Sequence, residues 1–321
     1  MNNEKYASFT AGSNDKGRRA DRIIRQFIPE RSLGGLYKAF RKGLIRVNGR
    51  KISPDCKIQE GDSLEIYRAL LDEKAPSVSK DSAGNAPSLN ILYEDDDLLA
   101  LSKPAGILVH GSGNSLEKDV RNYLKDKLPP SLGFKPGPLH RLDRNTSGLI
   151  FFSKSLEGAR RFSEDLRKGC FKKYYLALID GKLKNKAVWV DNLQRDGEKK
   201  VSSVEKEGER ARSTFYPVKT GGDKTLALIL IETGRTHQIR VQASHHGHPL
   251  CGDRKYGGSP LKEGYLLHSL KMVPQKGSFL AERDYPEAPL PRNWENAIKK
   301  VFPSVTPGLL MKEINGFLED Q

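Results

Sequence analysis

The residues between Leu70 and Ser88 constrain the fold more than any other stretch of the chain. They read LLDEKAPSVSKDSAGNAPS, are rich in Ser, Ala, Pro and charged residues, and show no periodic spacing of apolar residues. Such a composition does not build a packed core and is typical of a flexible linker. We therefore predict a linker over residues 69–88 that separates two folded parts, because 321 residues can fill more than one core.

The part before this linker, residues 18–68, has the pattern of a small α/β module with two short helices. The apolar residues at helical spacing are Ile23, Ile24, Phe27 and Ile28, followed by Leu33, Leu36 and Phe40. Gly43 is placed to end the second helix, and the Asn48–Gly49 pair indicates a β-hairpin. The residues SLEIY predict a closing strand, and residues 1–17 are predicted to form a flexible N-terminal tail.

Positive charge is concentrated in this module. The chain carries 55 Lys and Arg against 40 Asp and Glu, a net charge of +15, and residues 18–68 contain 13 basic and 6 acidic residues. Such an excess favours a polyanionic partner such as nucleic acid. No apolar run approaches the ~20 residues that span a bilayer, and the polar start lacks the apolar segment of a signal peptide. With three cysteines that lie far apart in sequence, a cytoplasmic protein without a membrane partner is expected.

The module, with its central RKGLIRVNG, resembles the small RNA-binding domain named after ribosomal protein S-four. This resemblance implies that the second helix and the following strand face RNA phosphates. The basic residues that it assigns to RNA binding are Arg41, Lys42, Arg46, Arg50 and Lys51. An inert, solvated charged face is the alternative.

Residues 89–300 predict a larger α+β domain with a mixed sheet, and residues 301–321 a C-terminal extension. Strand-like runs occur in LNILYEDDDLLALSK, GLIFFSK and YYLALIDG, and SLEGARRFSEDLRKG has one apolar helical face. Strands that alternate irregularly with few helices favour a mixed α+β fold over a doubly wound sheet. Beyond Phe302, scattered apolar residues indicate a docking helix.

Three polar segments of this domain carry the candidate chemistry: HRLDRNTSG at 140–148, FKKYYLALIDG at 171–181 and TGRTHQIR at 233–240. The first reads as a tight polar turn that presents Asp143. In the second, strand alternation puts Tyr175 on the face opposite the core-facing Leu176. In the third, Arg235 and Arg240 bracket His237 in a string that is expected to pack poorly in a core and to suit phosphate or carboxylate recognition.

Several reaction classes lack their sequence signals. The chain has no phosphate-binding loop, no dinucleotide fingerprint and no nucleophile elbow around Ser147. The cluster HHGHPLC, with His245, His246, His248 and Cys251, could in principle bind zinc, but its spacing matches no common zinc pattern. Neither a cofactor nor a metal is expected.

Taken together, the three segments make residues 89–291 resemble an RluA-type pseudouridine synthase. The resemblance implies a largely antiparallel pseudouridine synthase sheet, an enzyme that isomerises uridines in RNA, most closely in large-subunit ribosomal RNA, and no cofactor. It also implies that Asp143 is the catalytic carboxylate, that Tyr175 packs on the target base, that Arg240 pairs with Asp143, and that Arg141 helps to displace the base. Arg235 and His237 are assigned to RNA binding, and the chain is expected to act as a monomer.

Two departures from the family pattern leave the substrate open. Gln242 stands where a histidine is common, and SLKMVPQKG lacks a frequent His-Pro pair. A synthase acting on transfer RNA and an RNA-binding ribosome-assembly factor without catalysis are the alternatives. The presence of Asp143, Tyr175 and Arg240 argues against a factor that has lost catalysis, and the N-terminal module argues against transfer RNA.

Overall fold

The computed structural model describes residues 5–71, 89–111, 113–281 and 286–319. It divides into two compact units whose boundaries do not follow chain order. The first unit joins the described residues up to Leu71 with residues 117–137 and 153–160, and the second contains residues 89–116, 138–152 and those from Arg161 onward. Residues 72–88 of the predicted linker lie outside the described residues, while Arg68–Leu70 form a 3-10 helix.

The first unit contains the predicted two-helix module. Its elements are β1 (Tyr6–Thr10), a 3-10 helix (Ser13–Asp15), α1 (Ala20–Phe27), α2 (Leu33–Arg41), β2 (Ile45–Val47), β3 (Arg50–Lys51) and β4 (Ser63–Tyr67). The strands form an antiparallel sheet in the order β1-β4-β2-β3. Asn48 and Gly49 both have positive φ, 50° and 77°, so the β2–β3 turn forms at the predicted Asn-Gly pair.

The N-terminal residues differ from the flexible tail that the sequence predicts. Residues 6–10 form β1, which pairs with β4 along its whole length from Tyr6 opposite Tyr67 to Thr10 opposite Ser63. Phe9 of β1 also packs against Phe27, with 4.6 Å between the ring centroids. The alternation in YASFT is short and half-polar, and a strand of this kind is stabilised by its partner strand more than by its own pattern.

Asp15 connects the N-terminal residues to a segment more than one hundred positions later in the chain. Its fully buried carboxylate accepts hydrogen bonds from the Ser131 hydroxyl at 2.7 Å and from the backbone N–H groups of Leu132 and Gly133 at 2.7 and 2.9 Å. The neighbouring Asn14 side chain accepts a bond from the Leu156 N–H at 2.8 Å. The predicted single domain over residues 89–300 is therefore wrong in part, because residues 117–137 and 153–160 pack with the N-terminal module.

The second unit is built on a mixed sheet, as the sequence predicts. The strands are β5 (Ile91–Glu94), β6 (Leu98–Lys103), β7 (Ser147–Ser153), β8 (Phe171–Asp180), β9 (Ala187–Asp196), β10 (Val201–Val204), β11 (Glu209–Gly221), β12 (Lys224–Ile231) and β13 (Leu267–Pro274). Within the described residues they form one sheet in the order β10-β9-β11-β12-β8-β13-β7-β6-β5. Pairing from β10 to β13 is antiparallel, and β13 pairs in parallel with β7.

The helices from residue 116 onward complete the architecture. They are α3 (Leu116–Leu124), α4 (Leu156–Lys168), α5 (Gln238–His245), α6 (Arg292–Val301) and α7 (Pro307–Glu319). Most of α3 and the first part of α4 belong to the first unit. The core on the α6 and α7 side includes Tyr174, Leu176 and Leu178 of β8. Leu310 and Ile314 of α7 are fully buried there, so the C-terminal extension docks as a helix. No described helix is both long and apolar enough to cross a bilayer.

The buried carboxylate of Asp15 generates a stability prediction. Substitution of Asp15 by Ala leaves the Leu132 and Gly133 N–H groups without their acceptor, so the free energy of unfolding should fall by about 2–3 kcal/mol. Urea denaturation of both proteins measures the difference, and Glu60→Ala, at an exposed position of the same unit, is the control. A loss below about 0.5 kcal/mol for Asp15→Ala would show that these bonds contribute little.

Candidate active site

The polar loop at residues 140–146 presents Asp143 just before β7 begins. The Thr146 N–H donates to the Asp143 carbonyl at 3.1 Å, which closes a tight turn. Gly148 then has φ 107°, and a Cβ at that position would collide with the backbone of Ser269 on β13. The glycine that ends the HRLDRNTSG motif is therefore required by the close approach of β7 and β13.

Lys103, at the end of β6, holds this loop from behind. Its side chain is 1% exposed, and its ammonium group donates to the carbonyl oxygens of Pro104, Ile107 and Arg144, each at 2.9 Å. Three acceptors match its three N–H donors. Burial lowers the pKa of Lys103 to about 8, and the negative charge of Asp143 opposes that shift. The Arg144 side chain adds a return bond from Nε to the Gly106 carbonyl at 2.9 Å.

Arg240 of α5 lies between two carboxylates. Its Nε and Nη2 donate to Asp253 at 2.6 and 2.9 Å, and its Nη1 lies 3.3 Å from Oδ2 of Asp143. Burial alone would lower the pKa of Arg240, but the hydrogen bonds that it donates to Asp253 and the nearby negative charges more than offset this effect and raise it. The rings of Tyr256 and Tyr265 lie 4.9 and 4.4 Å from the guanidinium. Asp143 thus faces a guanidinium that Asp253 and the two tyrosine rings hold in place.

α5 itself is a helix that the sequence reasoning missed. The string TGRTHQIR was expected to pack poorly in a core, yet Gln238, Ile239 and Arg240 are buried. Hydrogen bonds replace apolar contacts, since the Gln238 amide donates to the Ser213 hydroxyl at 2.8 Å and to the Arg212 carbonyl at 3.0 Å. A polar helix can be buried when its side chains find such partners.

His237 stands immediately before α5 in a left-handed conformation, with φ 57° and ψ 19°. Its Nε2 lies 3.9 Å from Oδ2 of Asp143, and its Nδ1 lies 2.7 Å from the Tyr256 hydroxyl. Burial lowers the pKa of His237, although the negative charge of Asp143 opposes this effect. The imidazole is therefore neutral near pH 7.

Tyr175 of β8 lies on the face of the strand opposite Leu176, as the alternation predicts. It is paired with Ile229 on β12 and Ser269 on β13. Burial raises the pKa of Tyr175 to about 12, while a hydrogen bond with Ser269 opposes the shift, so the phenol stays neutral. Tyr175 lines a recess of about 80 Å³ together with Asp143, Ile231 and Leu267. The recess therefore combines an aromatic and aliphatic surface with charged groups, among them the Asp143 carboxylate.

A wider cleft of about 610 Å³ opens beside Asp143. Basic side chains surround it, namely Arg141, Arg144, Arg195, Lys200 and Lys255. Arg195 and Lys200 come from the hairpin between β9 and β10, which no sequence pattern connected to the site. This cationic rim has the charge that phosphate groups require.

The remaining sequence-predicted RNA-binding residues occupy two places. Arg235 lines the recess, where its Nη1 pairs with Glu209 at 2.7 Å and its Nε donates to the Arg210 carbonyl. The module residues Arg41, Lys42, Arg50 and Lys51 are exposed, whereas Arg46 is half-buried and its guanidinium lies 4.5 Å above the Tyr6 ring. Arg46 stands opposite Lys51 in the β2–β3 pairing, so these two side chains are neighbours. The five basic residues are together called the patch on the module.

The four residues of HHGHPLC do not converge on one point. Cys251 is buried and contacts the Asp180 carboxylate at 3.1 Å, while His248 contacts the Asp180 carbonyl. Potential metal ligands of Asp191, His245 and His246 lie within 4.8 Å of one another. This cluster already has other partners, because Gln242 donates to Asp191 at 2.7 Å and His246 stacks on Trp189 at 4.6 Å.

Besides Arg195 and Lys200, the sequence reasoning missed three further residues of the site: Lys103, Asp253 and Tyr256. Lys103 stands in SKPAG and the other two in GDRKYG, short stretches with glycine or proline that read as ordinary turns. A lysine directly after an apolar strand, and an aspartate between glycine and two basic residues, are the signals that could have marked them.

Comparisons with known proteins agree with this geometry. Residues 97–245 match the family model described as RNA pseudouridylate synthase. The chain is 32% identical over 304 residues to the ribosomal large subunit pseudouridine synthase C of Buchnera aphidicola, an alignment that covers 88% of this chain and 94% of the relative. It is 33% identical over 260 residues to the protein of that name from Escherichia coli, covering 79% and 80%.

Among solved structures, human RNA pseudouridylate synthase domain containing 4 aligns with a TM-score of 0.54. The alignment covers 66% of this chain and 92% of the human chain at 21% identity. Human RNA pseudouridylate synthase domain containing 1 aligns with a TM-score of 0.50 over 70% of this chain. These likenesses show that the larger unit has the pseudouridine synthase fold.

The three hydrogen bonds from Lys103 give a second prediction. Lys103→Met removes the donor that three carbonyl oxygens share, although the Arg144 oxygen keeps the bond from the Gly106 N–H at 2.9 Å, so the free energy of unfolding should drop by about 1–3 kcal/mol. Thermal and urea unfolding measure this loss, with Lys262→Met at an exposed position as the matched control. Equal stability of the two variants would mean that the ammonium does not hold the loop.

Proposed function

Because the chain belongs to the RNA pseudouridylate synthase family, it is an enzyme that isomerises uridine to pseudouridine in RNA, and we propose that its substrate is large-subunit ribosomal RNA. Relatives that carry this substrate in their names align over 88% and 79% of the chain, which supports the proposal. The position of Asp143, between Arg240 and the recess of Tyr175, is the observation that carries it. We further propose that the enzyme acts in the cytoplasm as a monomer.

The reaction requires a base that has left its stack. The bond from the ribose to a uracil nitrogen breaks, the detached base turns, and the ribose is rejoined to a ring carbon. The proton on that carbon is lost and the nitrogen gains one, so the product is an isomer of the substrate. Flipping the uridine out costs a few kcal/mol, which stacking on an aromatic ring offsets in part. The recess beside Tyr175 offers such a surface.

Asp143 is the reacting group in this proposal. A carboxylate at the edge of the recess serves either as nucleophile or as base. Arg240, which lies 3.3 Å away, favours the ionised form that both roles require. Because Asp253 binds both Nε and Nη2 of this arginine, the guanidinium has one orientation, with Nη1 toward Asp143.

The basic rim of the cleft holds the RNA backbone around the flipped nucleotide. Arg141 is exposed and lines the cleft beside Asp143, which suits a residue that displaces the target base and occupies its place. We propose that the patch on the module is a further group of cations that binds RNA.

A third prediction tests the assignment of Asp143. Asp143→Asn keeps the shape of the side chain but cannot attack or take a proton, so pseudouridine formation on a large-subunit RNA fragment should fall below detection. RNA affinity, measured by filter binding, should stay near that of the wild type. Turnover within about tenfold of the wild type would contradict the catalytic role.

The substrate is tested separately in cells that lack the protein. Chemical mapping of pseudouridines should show sites missing from large-subunit ribosomal RNA, which the wild-type protein restores and Asp143→Asn does not. Sites missing only from transfer RNA would overturn the substrate proposal without affecting the chemistry.

A fourth prediction concerns the patch on the module. The double variant Arg50→Ala, Lys51→Ala removes two exposed cations, so the slope of log affinity against log salt should become shallower by ~0.7–0.9 for each lost phosphate contact. Single-turnover rates at saturating RNA should not change. Lys299→Ala, Lys300→Ala on α6 removes the same charge elsewhere and is the control. Identical slopes for both double variants would show that the patch does not bind RNA.

A further inference from the structure

Tyr256 is connected to Asp143 through His237, by a hydrogen bond to one ring nitrogen and a longer polar contact from the other. Its hydroxyl accepts a bond from the Ser202 N–H at 3.0 Å and lies 2.7 Å from Nδ1 of His237. The other ring nitrogen of His237, Nε2, lies 3.9 Å from Oδ2 of Asp143. The path therefore runs from the backbone of β10 through one phenol and one imidazole to the carboxylate.

The direction of these bonds follows from what each group can donate. A backbone N–H can only donate, so the Ser202 contact uses a lone pair of the Tyr256 oxygen. The hydroxyl proton then remains to be donated, and Nδ1 of His237 is its partner in the described part of the chain. Because Nδ1 accepts, a neutral His237 carries its proton on Nε2.

The backbone around Tyr256 keeps its hydroxyl in place. The Ser244 hydroxyl on α5 donates to the Tyr256 carbonyl at 2.7 Å, and the Tyr256 N–H donates to the Asp253 carbonyl at 3.1 Å. His237, at the start of the same helix, has a left-handed conformation that is uncommon for residues other than glycine. An unusual backbone at a cleft is a mark of a functional constraint.

We infer that Tyr256 is a positioning residue that fixes the Nε2–H tautomer of His237 and so directs a neutral N–H group at Asp143, 3.9 Å away, which becomes a second donor beside Arg240 when the site tightens on its substrate. This inference rests on the proposed function, because it concerns the same carboxylate. Arg240 supplies a charged donor from one direction and His237 a neutral one from another. Two donors from different directions restrict how the carboxylate can rotate when the base is flipped into the recess.

The charged groups around His237 determine what the removal of the phenol does. Asp143 and Asp253 favour its protonation, while Arg240 and Lys255 oppose it, and burial adds to that opposition. None of these changes in Tyr256→Phe, which retains the ring above Arg240. The hydroxyl takes with it the bond from the Ser202 N–H and the bond that stabilises the neutral imidazole, and the loss of the second should raise the pKa of His237.

The first test observes the tautomer without any activity. In the full-length protein with ¹⁵N-labelled histidine, long-range ¹H–¹⁵N spectra distinguish a protonated Nε2 from a protonated Nδ1. His237→Gln identifies the signal of interest. Wild-type protein at pH 7.5 should show Nε2–H alone, and Tyr256→Phe should show a mixture with Nδ1–H. A wild-type His237 that carries its proton on Nδ1 would overturn the inference.

The second test is kinetic and is the fifth prediction. Tyr256→Phe should lower the single-turnover rate on large-subunit RNA about tenfold with little change in RNA affinity. Its rate should also begin to fall at a higher pH on acidification than that of the wild type. Tyr123→Phe, which removes a hydroxyl from α3, should leave both unchanged. An unaltered rate and pH profile in Tyr256→Phe would contradict the role.

Coupling between the two residues separates positioning from a general loss of structure. His237→Gln has a side-chain amide whose donor group does not depend on a tautomer. In that background, Tyr256→Phe should lower the single-turnover rate little further. Equal costs of Tyr256→Phe in both backgrounds would show that it acts by another route. Failure of the proposed function would appear instead as turnover by Asp143→Asn, a result on which the tautomer spectra do not depend.

Discussion

The contact of Arg240 with two carboxylates is the interaction on which the site in the second unit depends. Arg240 and Asp253 are 7% and 1% exposed in their side chains, so neither charge could remain in that position without the other. The pair fixes the start of α5 against the turn after it, and it leaves Nη1 to face Asp143. Burying the Arg240 charge without a partner would cost several kcal/mol of folding free energy. Asp253 supplies that partner, and the rings of Tyr256 and Tyr265 pack on the guanidinium.

The sequence was most informative where a local pattern and its chemistry coincide. The Asn48–Gly49 turn, the helices of the module and the alternation around Tyr175 are set by neighbours in sequence, and the structure has them where they were predicted. Lys103 and Asp253 act through partners that are 41 and 13 positions away. No periodicity encodes such pairs. α5 was missed for a related reason, because hydrogen bonds from Gln238 and Gln242, and not an apolar stripe, hold it in the core.

The sequence predicts two folded parts, and the segments of the two compact units differ from the predicted boundaries. Composition identified the polar stretch after Leu70, but it carries no information on which later segments pack with the module. Asp15 and Asn14 are responsible for that packing, through bonds to Ser131, Gly133 and Leu156. Single polar residues of this kind are invisible to hydrophobic periodicity, although they decide where a folded unit ends.

The composite make-up of the first unit has a consequence for synthesis on the ribosome. A chain that emerges from its N-terminus usually folds domain by domain as each one is completed. Here the carboxylate of Asp15 has no Leu132 or Gly133 to bind until more than one hundred further residues have been added. The module can form its sheet early, but its final packing waits for residues up to 160. The first unit is thus completed only after two segments of the second, residues 89–116 and 138–152, have already been made.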